Sequence, residues 1–438
     1  MKRKGTTIHG VAAVLAAALI SFSAASTQAR IDGLVGKTTF NFTAGAAYLW
    51  TGEGNVVRFW GLANDAGPVQ YPAPTLILNQ GDVVTINLTN SLAVPTSLVF
   101  PGHVVTATGG SPGLLTAEAA ARGGTVSYTF TAAAPGTFIY QSGTSPELQI
   151  EMGIVGAIIV RPAGFDPMMA TAYGSHDSMY TDEFLFLMTE MDPRIHEAVD
   201  RGGPDALLGT DYLSDYRPNY WFLNGRNAPD TMLAPDVPWL PNQPYNCMPM
   251  MHPGDRLLVR GIGGGREQHP LHLHANHFWI IARDAQLLQS APGPVSDLSM
   301  LVFTYSSIPG RTFDATFDWT GEKLGWDIYG SGPGYDHPCN DDGSGFDPLT
   351  KEYCDDHLKP FPVTLPGFDE VAIGDFHNGS PFMGNSYLMP PDTGGFNPDS
   401  GFVYMWHSHQ ERDMVNYNVF PGGMMTMLMV VPQSIPLM

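Results

Sequence analysis

Residues 269–278 constrain the fold of this chain more than any other segment, because they contain four of its fourteen histidines. In a β-strand alternate side chains share a face, so His272 and His274 project together while Leu271 and Leu273 point the opposite way. Two imidazoles on one strand face supply half of a metal site.

A second pair of this kind occurs near the end of the chain, in residues 406–409. There His407 and His409 share one face of a predicted strand, and Ser408 lies on the other face. Neutral imidazoles suit copper or zinc better than softer or harder metals. The two pairs together predict a metal site formed by His272, His274, His407 and His409.

The N-terminal segment has the order of a secretory signal peptide. Residues 2–4 are basic, residues 11–20 are apolar, and residues 27–29 form a small-x-Ala cleavage pattern. The apolar run is only about half as long as a bilayer-spanning helix. We therefore expect residues 1–29 to be removed and the mature chain to be secreted, periplasmic or extracellular, with no transmembrane segment left after cleavage.

Charge and cysteine content narrow the class of protein further. The formal net charge is -21 and becomes -24 without the three basic residues of the signal peptide, which argues against nucleic acid as a partner. Three cysteines in an exported protein leave one without an internal partner. Because Cys339 and Cys354 are close together in one polar loop, they are the expected disulfide, and Cys247 is the expected free, buried thiol.

The pattern along the chain predicts an all-β protein with a repeat. Short alternating or apolar segments separated by turn residues fill residues 37–162, as in a β-sandwich, and a similar order recurs later. Residues 75–89 and 248–262 can be laid over each other, each with a Gly-Asp turn. We expect a first sandwich domain at residues 30–163, a linker with a short helix at 164–215, and a second sandwich domain at 216–438.

The second domain is interrupted by a glycine-, proline- and acid-rich stretch at about residues 326–397, which predicts a long acidic surface loop. Residues 340–345 offer oxygen ligands for calcium, although a solvated loop is favoured over a calcium site. Methionines crowd the second domain and their thioethers suit Cu(I), but Met425, Met427 and Met429 alternate as a core strand would.

These motifs resemble the multicopper oxidase family, which is built from cupredoxin-type, Greek-key β-sandwich domains. The resemblance covers most of the mature chain and is strongest in His-Pro-Leu-His-Leu-His at 269–274 and His-Ser-His at 407–409. Two domains make the chain similar to two-domain laccases and copper nitrite reductases. The resemblance implies copper as cofactor and a homo-oligomer, specifically a trimer.

The chain departs from the family pattern at the mononuclear type 1 copper site. The resemblance makes His269 a type 1 ligand, yet Ser408 stands where the family has its cysteine thiolate and Asp413 where it has a later histidine. A serine hydroxyl cannot replace a soft thiolate. The first domain also lacks the family's histidine pairs, and only His103 lies near one of those positions.

We therefore expect one metal ion, copper with zinc as the alternative, on the four-histidine set. His103, His269 or His277 would serve as a further ligand or as a group that orients the ligands. Two functions stay open. One is a copper-dependent oxidoreductase without a blue centre, acting on a small molecule or a metal ion. The other is a non-catalytic copper-binding or structural protein at the cell surface or outside the cell. Four-copper laccase activity is not expected.

Overall fold

The computed structural model describes residues 31–293, 295–331, 337–360 and 403–437. The expected signal peptide lies outside the described residues, as do residues 361–397 of the expected insertion. Among the residues described, no helix is both long enough and apolar enough to cross a membrane.

The first half of the chain folds into a two-sheet sandwich. Its strands keep the alternation seen in the sequence: in Val83–Asn90, Val84, Ile86 and Leu88 are buried while the residues between them face outward. The strands are β1 (Thr39–Trp50), β2 (Val56–Asn64), β3 (Ala73–Asn79), β4 (Val83–Asn90), β5 (Leu98–Val99), β6 (Val105–Gly109), β7 (Ser111–Pro112), β8 (Ala117–Glu118), β9 (Gly124–Thr131), β10 (Gly136–Ser142) and β11 (Val155–Arg161).

The second half forms another two-sheet sandwich. Its strands are β12 (Asp182–Met191), β13 (Tyr220–Leu223), β14 (Met250–Met251), β15 (Arg256–Gly263), β16 (His269–Leu273), β17 (Phe278–Arg283), β18 (Gln286–Leu287), β19 (Met300–Val302), β20 (Thr304–Ser307), β21 (Thr312–Asp318), β22 (Val403–Ser408) and β23 (Met425–Val430).

Helices are short and lie in the connections. In the part of the chain that the structure describes, two are α-helical, α1 (Pro146–Gln149) and α2 (Pro193–Gly202). The 3-10 turns are Pro167–Met169, His176–Ser178, Pro204–Leu207, Asp230–Met232, Cys354–Asp356 and Glu411–Met414.

The two sandwiches repeat one topology. In the first, the strand orders are β2-β1-β4-β9-β6 and β3-β11-β10-β5; in the second they are β13-β12-β15-β21-β17-β18 and β14-β23-β22-β16-β20. Each has the same parallel pairs, β1 with β4 and β12 with β15, β3 with β11 and β14 with β23. The chain is thus all-β with tandem sandwich domains, and β5 and β10 correspond to β16 and β22.

The stretch expected to be a linker contains a central strand of the second sandwich. All ten residues of β12 (Asp182–Met191) are buried, and it pairs with both β13 and β15. Phe186 and Met188 face the core of the second sandwich, whereas Leu185 and Leu187 face the first domain. A strand buried on both faces has no alternation of polar and apolar residues, so the sequence pattern did not reveal it. The second sandwich therefore includes β12, and the boundary expected at residue 216 is corrected.

The short helix expected in the same stretch is present as α2 (Pro193–Gly202). Asp192 caps it by accepting a hydrogen bond from the Arg194 N–H, at 3.0 Å, and Pro193 occupies its first turn. Gly203 ends the helix with φ +71°.

The domains meet through β12, β13 and β15 of one sheet of the second sandwich. An apolar cluster there joins Phe59 and Ile159 of the first domain to Leu187 and Phe222 of the second. The other sheet of the second sandwich, which holds β16 and β22, therefore has one face toward its own core and one face away from the first domain. That outer face carries the candidate site.

The insertion begins as a loop held by a disulfide. Cys339 and Cys354 are bonded, with Cα atoms 5.6 Å apart, as expected from their spacing, and Cys247 is free and buried. The acidic turn at 340–345 uses its own carboxylates: Asp341 Oδ1 accepts hydrogen bonds at 2.8 Å from the N–H groups of Gly343 and Gly345.

Candidate metal centre

The histidine-bearing strands are neighbours in the sheet. β16 lies between β22 and β20, with His272 opposite His407 on one side and opposite Thr304 on the other. Leu271 and Leu273 point into the core, so the alternation places His272 and His274 on the outer face.

Three imidazoles converge closely on that face. One ring nitrogen from each of His272, His274 and His407 lies within 4.8 Å of the others, and His274 Nε2 is 2.9 Å from His407 Nε2. The exposed His409 lies beside this group, with its ring centroid 4.8 Å from that of His272 and 5.5 Å from that of His407. The structure thus places the four rings of the sequence prediction side by side, and ring nitrogens of three of them converge.

Neighbouring groups orient two of the rings. His407 Nδ1–H donates to the Ser408 carbonyl oxygen at 2.7 Å, which leaves Nε2 with its lone pair for a ligand. His272 Nδ1 lies 2.7 Å from Thr304 Oγ1, and a hydrogen bond there likewise leaves Nε2 for a ligand. Such hydrogen-bond partners fix the tautomer and the ring orientation of metal-binding histidines. No pattern in the sequence had indicated a role for Thr304.

The local environment favours the neutral form of His407 and His272. The pKa of His407 is lowered to about 4, mainly by burial; the hydrogen bond to the Ser408 carbonyl oxygen opposes this shift, and the nearby rings of His274, His272 and His409 add to it. Burial, followed by His274 and His409, also lowers the pKa of His272. Because only the neutral ring offers a lone pair, His407 and His272 can act as ligands at neutral pH.

His277 and His103, which the sequence offered as further ligands or orienting groups, have different surroundings. His277 is exposed beside the site, with its ring 5.4 Å from Phe303, which in turn contacts His272 at 5.8 Å. His103 instead packs in the first domain between Phe130 and Phe138, at 4.6 and 4.5 Å. Burial lowers the pKa of His103 to about 4, and the structure does not bring it to the four imidazoles.

His269 faces the inside of the sandwich and is held between two carboxylates. Its Nδ1 is 2.8 Å from Asp413 Oδ2, and its Nε2 is 2.9 Å from Glu190 Oε2. Burial alone lowers the pKa of His269, but hydrogen bonds and charge from Asp413 and Glu190 raise it to about 9. The ring is therefore a buried cation with both nitrogens engaged, which leaves no lone pair for a metal.

Ser408 joins the same inner cluster. Its Oγ donates a hydrogen bond at 2.7 Å to Asp413 Oδ2, so the three positions that the resemblance assigns to a type 1 site are in contact. Glu190 was missed because it lies on β12, in the stretch read as linker. Glu190 Oε1 also accepts hydrogen bonds from the N–H groups of Arg266 and Glu267. Charged, hard groups therefore occupy the region where a type 1 copper site would need a soft thiolate ligand.

Cys247 is a packed thiol of the second domain. It is fully buried, and its Sγ donates to the Leu223 carbonyl oxygen at 2.9 Å. Burial raises the pKa of the thiol to about 12, so it stays protonated and unreactive at neutral pH.

Two sandwiches of one topology, with paired histidine strands on an outer sheet face, define a cupredoxin-type protein with a candidate metal centre. The family model described as multicopper oxidase matches residues 63–164. That match covers most of the first domain, whereas the histidine strands belong to the second. The resemblance predicted from the motifs is confirmed by this match and by the fold.

Solved structures of the same fold include multicopper oxidases. The multicopper oxidase mgLAC has a TM-score of 0.53 at 16% identity, over 90% of this chain and 86% of that one. The blue copper oxidase from Nitrosomonas europaea has a TM-score of 0.53 at 17% identity, over 90% and 85%. Fet3p, a multicopper oxidase that functions in iron import, has a TM-score of 0.50 at 15% identity, over 91% and 53%. At these identities the likeness establishes the fold, and no curated protein sequence matches this chain.

Proposed function

We propose that this protein binds one copper ion through His272, His274 and His407, with His409 as the fourth ligand. The observation that carries the proposal is the convergence of three ring nitrogens within 4.8 Å on one sheet face. Imidazole ligands suit copper, zinc, iron and nickel, and the multicopper oxidase fold favours copper among them. Bound copper would supply one-electron redox chemistry at this centre.

The chain's own groups support a small-molecule or metal-ion substrate. His272 and His274 are half-buried and His409 is exposed, so the centre opens to solvent on one side. His407 is anchored through Ser408, and His272 through Thr304, which holds the ligand set in place as substrate arrives. We infer a copper-dependent oxidoreductase that works without a blue copper site.

A non-catalytic copper-binding role is the second candidate, and one observation favours it. Both nitrogens of His269 contact carboxylates, one of Glu190 and one of Asp413. The position that the family resemblance assigns to the type 1 copper, which would pass electrons to the centre, is thus an ionic cluster. Without that relay, copper at the four imidazoles would be stored or delivered.

Metal analysis of the purified mature chain separates these functions. We expect one copper ion per chain, an electron paramagnetic resonance signal with nitrogen ligands and no intense blue absorbance. Copper-dependent oxygen consumption with phenolic or metal-ion substrates would identify the oxidoreductase, and its absence with copper bound would identify the binding role. Four coppers with strong blue absorbance would contradict both.

We further propose that the protein is exported and forms a homotrimer, as the signal-like N-terminus and the family resemblance imply. An apolar surface beside the centre supports assembly, since Trp279, Leu301 and Phe303 are 42, 50 and 54% exposed. Sedimentation of the mature chain should give a trimer, and Leu301→Glu should shift it toward monomer. A wild-type monomer at micromolar concentration would refute the assembly.

A further inference from the structure

A second cluster of ligand-type side chains lies in the described part of the insertion. One ligand-type atom from each of Asp327, His337, Glu352 and His357 lies within 4.8 Å of the others. These residues are on different segments from the histidines of β16 and β22. Nothing in the sequence pattern singled them out, because the four are spread over loops without regular spacing.

The disulfide fixes the segments that carry three of them. His337 precedes Cys339 by two residues, Glu352 precedes Cys354 by two, and His357 follows Cys354 by three. The fourth, Asp327, is held by two backbone groups: its Oδ1 accepts from the Tyr329 N–H at 2.8 Å, and its Oδ2 from the Leu358 N–H at 2.7 Å. The cluster is therefore preorganised by covalent and backbone contacts.

Three of the separations between ligand-type atoms are close to those around a tetrahedral ion. His337 Nε2 is 3.3 Å from Asp327 Oδ2 and 3.3 Å from Glu352 Oε2, and His357 Nδ1 is 3.5 Å from Asp327 Oδ2. These separations exceed the usual 2.7–2.9 Å or so of a charge-assisted hydrogen bond. Two ligands of a tetrahedral Zn²⁺, each at about 2.0–2.1 Å, lie about 3.3–3.4 Å apart.

The buried carboxylates of this cluster would be stabilised by a positive charge. The side chains of Asp327 and Glu352 are 0 and 1% exposed, so two carboxylates face each other out of water. Glu352 Oε1 is 2.7 Å from His357 Nδ1, but the buried Glu352 Oε2 accepts no hydrogen bond from any residue described. A bound cation would satisfy the buried oxygen and offset the repulsion.

We propose that Asp327, His337, Glu352 and His357 bind one divalent metal ion of the zinc class. Two imidazoles and two carboxylates match the mixed nitrogen and oxygen ligands of Zn²⁺, whereas Ca²⁺ and Mg²⁺ take oxygen ligands. Four protein ligands leave no open position, which is the arrangement of a structural rather than a catalytic zinc site. The ion and the disulfide together hold the insertion in one shape. This site does not depend on the proposed copper function.

The test uses the full mature chain with His272→Val and His407→Gln, so that only the second cluster remains. After chelation and dialysis, Zn²⁺ alone is titrated and bound metal is counted, with Co²⁺ as a spectroscopic probe. We expect one equivalent of Zn²⁺ and the visible d–d bands of tetrahedral Co²⁺. Glu352→Gln should weaken Zn²⁺ binding by at least about 100-fold, since it removes a direct ligand.

Two further variants, one at a second ligand and one control, test the site even if Glu352→Gln fails to fold. His337→Gln changes a partly exposed ligand and should also remove the tetrahedral Co²⁺ bands. Asp355→Asn removes an exposed carboxylate three residues from Glu352 and should leave Zn²⁺ binding unchanged. Absence of stoichiometric Zn²⁺ binding, or binding that survives in both Glu352→Gln and His337→Gln, would overturn the site and leave a purely ionic cluster.

Discussion

The two domains place different side chains on one backbone arrangement. In the second domain, His272 of β16 lies opposite His407 of β22; in the first, Val99 of β5 lies opposite Gln141 of β10 in the corresponding register. The two domains therefore differ in the candidate metal ligands on these equivalent strands, while their topology is the same.

The first domain is also closed at the position equivalent to His409. That position is Gly143, where an added Cβ would lie 2.7 Å from Val99 Cγ1. A side chain at this position would fit only if the Val99 side chain moved. Histidines at the positions of Val99 and Gln141 would therefore still leave the first domain without a counterpart of His409.

The inner faces differ in charge while keeping the same connections. In the first domain Thr96 and Ser142 both donate hydrogen bonds to Gln149 Oε1. In the second, His269 and Ser408 both contact Asp413 Oδ2. The equivalent triads are neutral in one domain and ionic in the other, and neither offers a thiolate.

The largest expected effect comes from giving the second domain the residues of the first. His272→Val with His407→Gln should abolish copper binding, because two of the convergent nitrogens are removed. Copper content after equilibrium dialysis measures this, and the reverse change, Val99→His with Gln141→His, should add no bound copper. Because copper could also occupy the second cluster, the dialysis uses chains that also carry His337→Gln and Glu352→Gln. Retention of one copper by the His272→Val/His407→Gln variant in that background would refute the site.

Breaking the ionic triad should cost more stability than breaking the neutral one. His269→Thr leaves Glu190 and Asp413 buried without their cation, and we expect a loss of about 3–5 kcal/mol in the free energy of unfolding. Adding Asp413→Gln should recover part of that loss. The matched change in the first domain, Thr96→Val, should cost only about 1 kcal/mol. Equal losses in urea unfolding of His269→Thr and Thr96→Val would show that the charges do not matter.

The pH dependence of stability should also separate the two triads. The pKa of His269 is raised to about 9, above its ordinary value of 6.5, so its contribution is complete below about pH 6.5 and is lost as the pH rises through 9. A shift of this size corresponds to stability on the order of 3 kcal/mol. Unfolding free energies at pH 6.5 and pH 10 should differ in the wild type, and much less in the His269→Thr/Asp413→Gln variant. A flat profile in the wild type would contradict a protonated His269.

The smallest effect is expected from the group that orients His272. Thr304→Val removes the hydroxyl that holds Nδ1 and should weaken copper binding by about 10–100-fold without removing it. Ser306→Ala, an exposed change on the same face of β20, is the control and should leave affinity unchanged. Isothermal titration measures both, and identical affinity in Thr304→Val and the wild type would show that the contact has no orienting role.

Much of the fold could be predicted from the sequence because its signals are local. Strand alternation placed His272 and His274 on one face, the repeat of residues 75–89 at 248–262 indicated two sandwiches, and cysteine spacing predicted the disulfide. The prediction failed at β12, where burial on both faces removes alternation. Because that strand was not predicted, Glu190, the partner of His269, was not predicted either.

The sequence by itself determined which residue types each strand presents, and that Ser408 cannot supply a thiolate. Only the tertiary structure decided which of these residues meet. It locked His269 between Glu190 and Asp413, placed His103 between two phenylalanines of the first domain, and brought Asp327 to His337 and Glu352. The physical reason is that strand register and packing set contacts between residues far apart in the chain, whereas sequence periodicity reports only the face on which each residue lies.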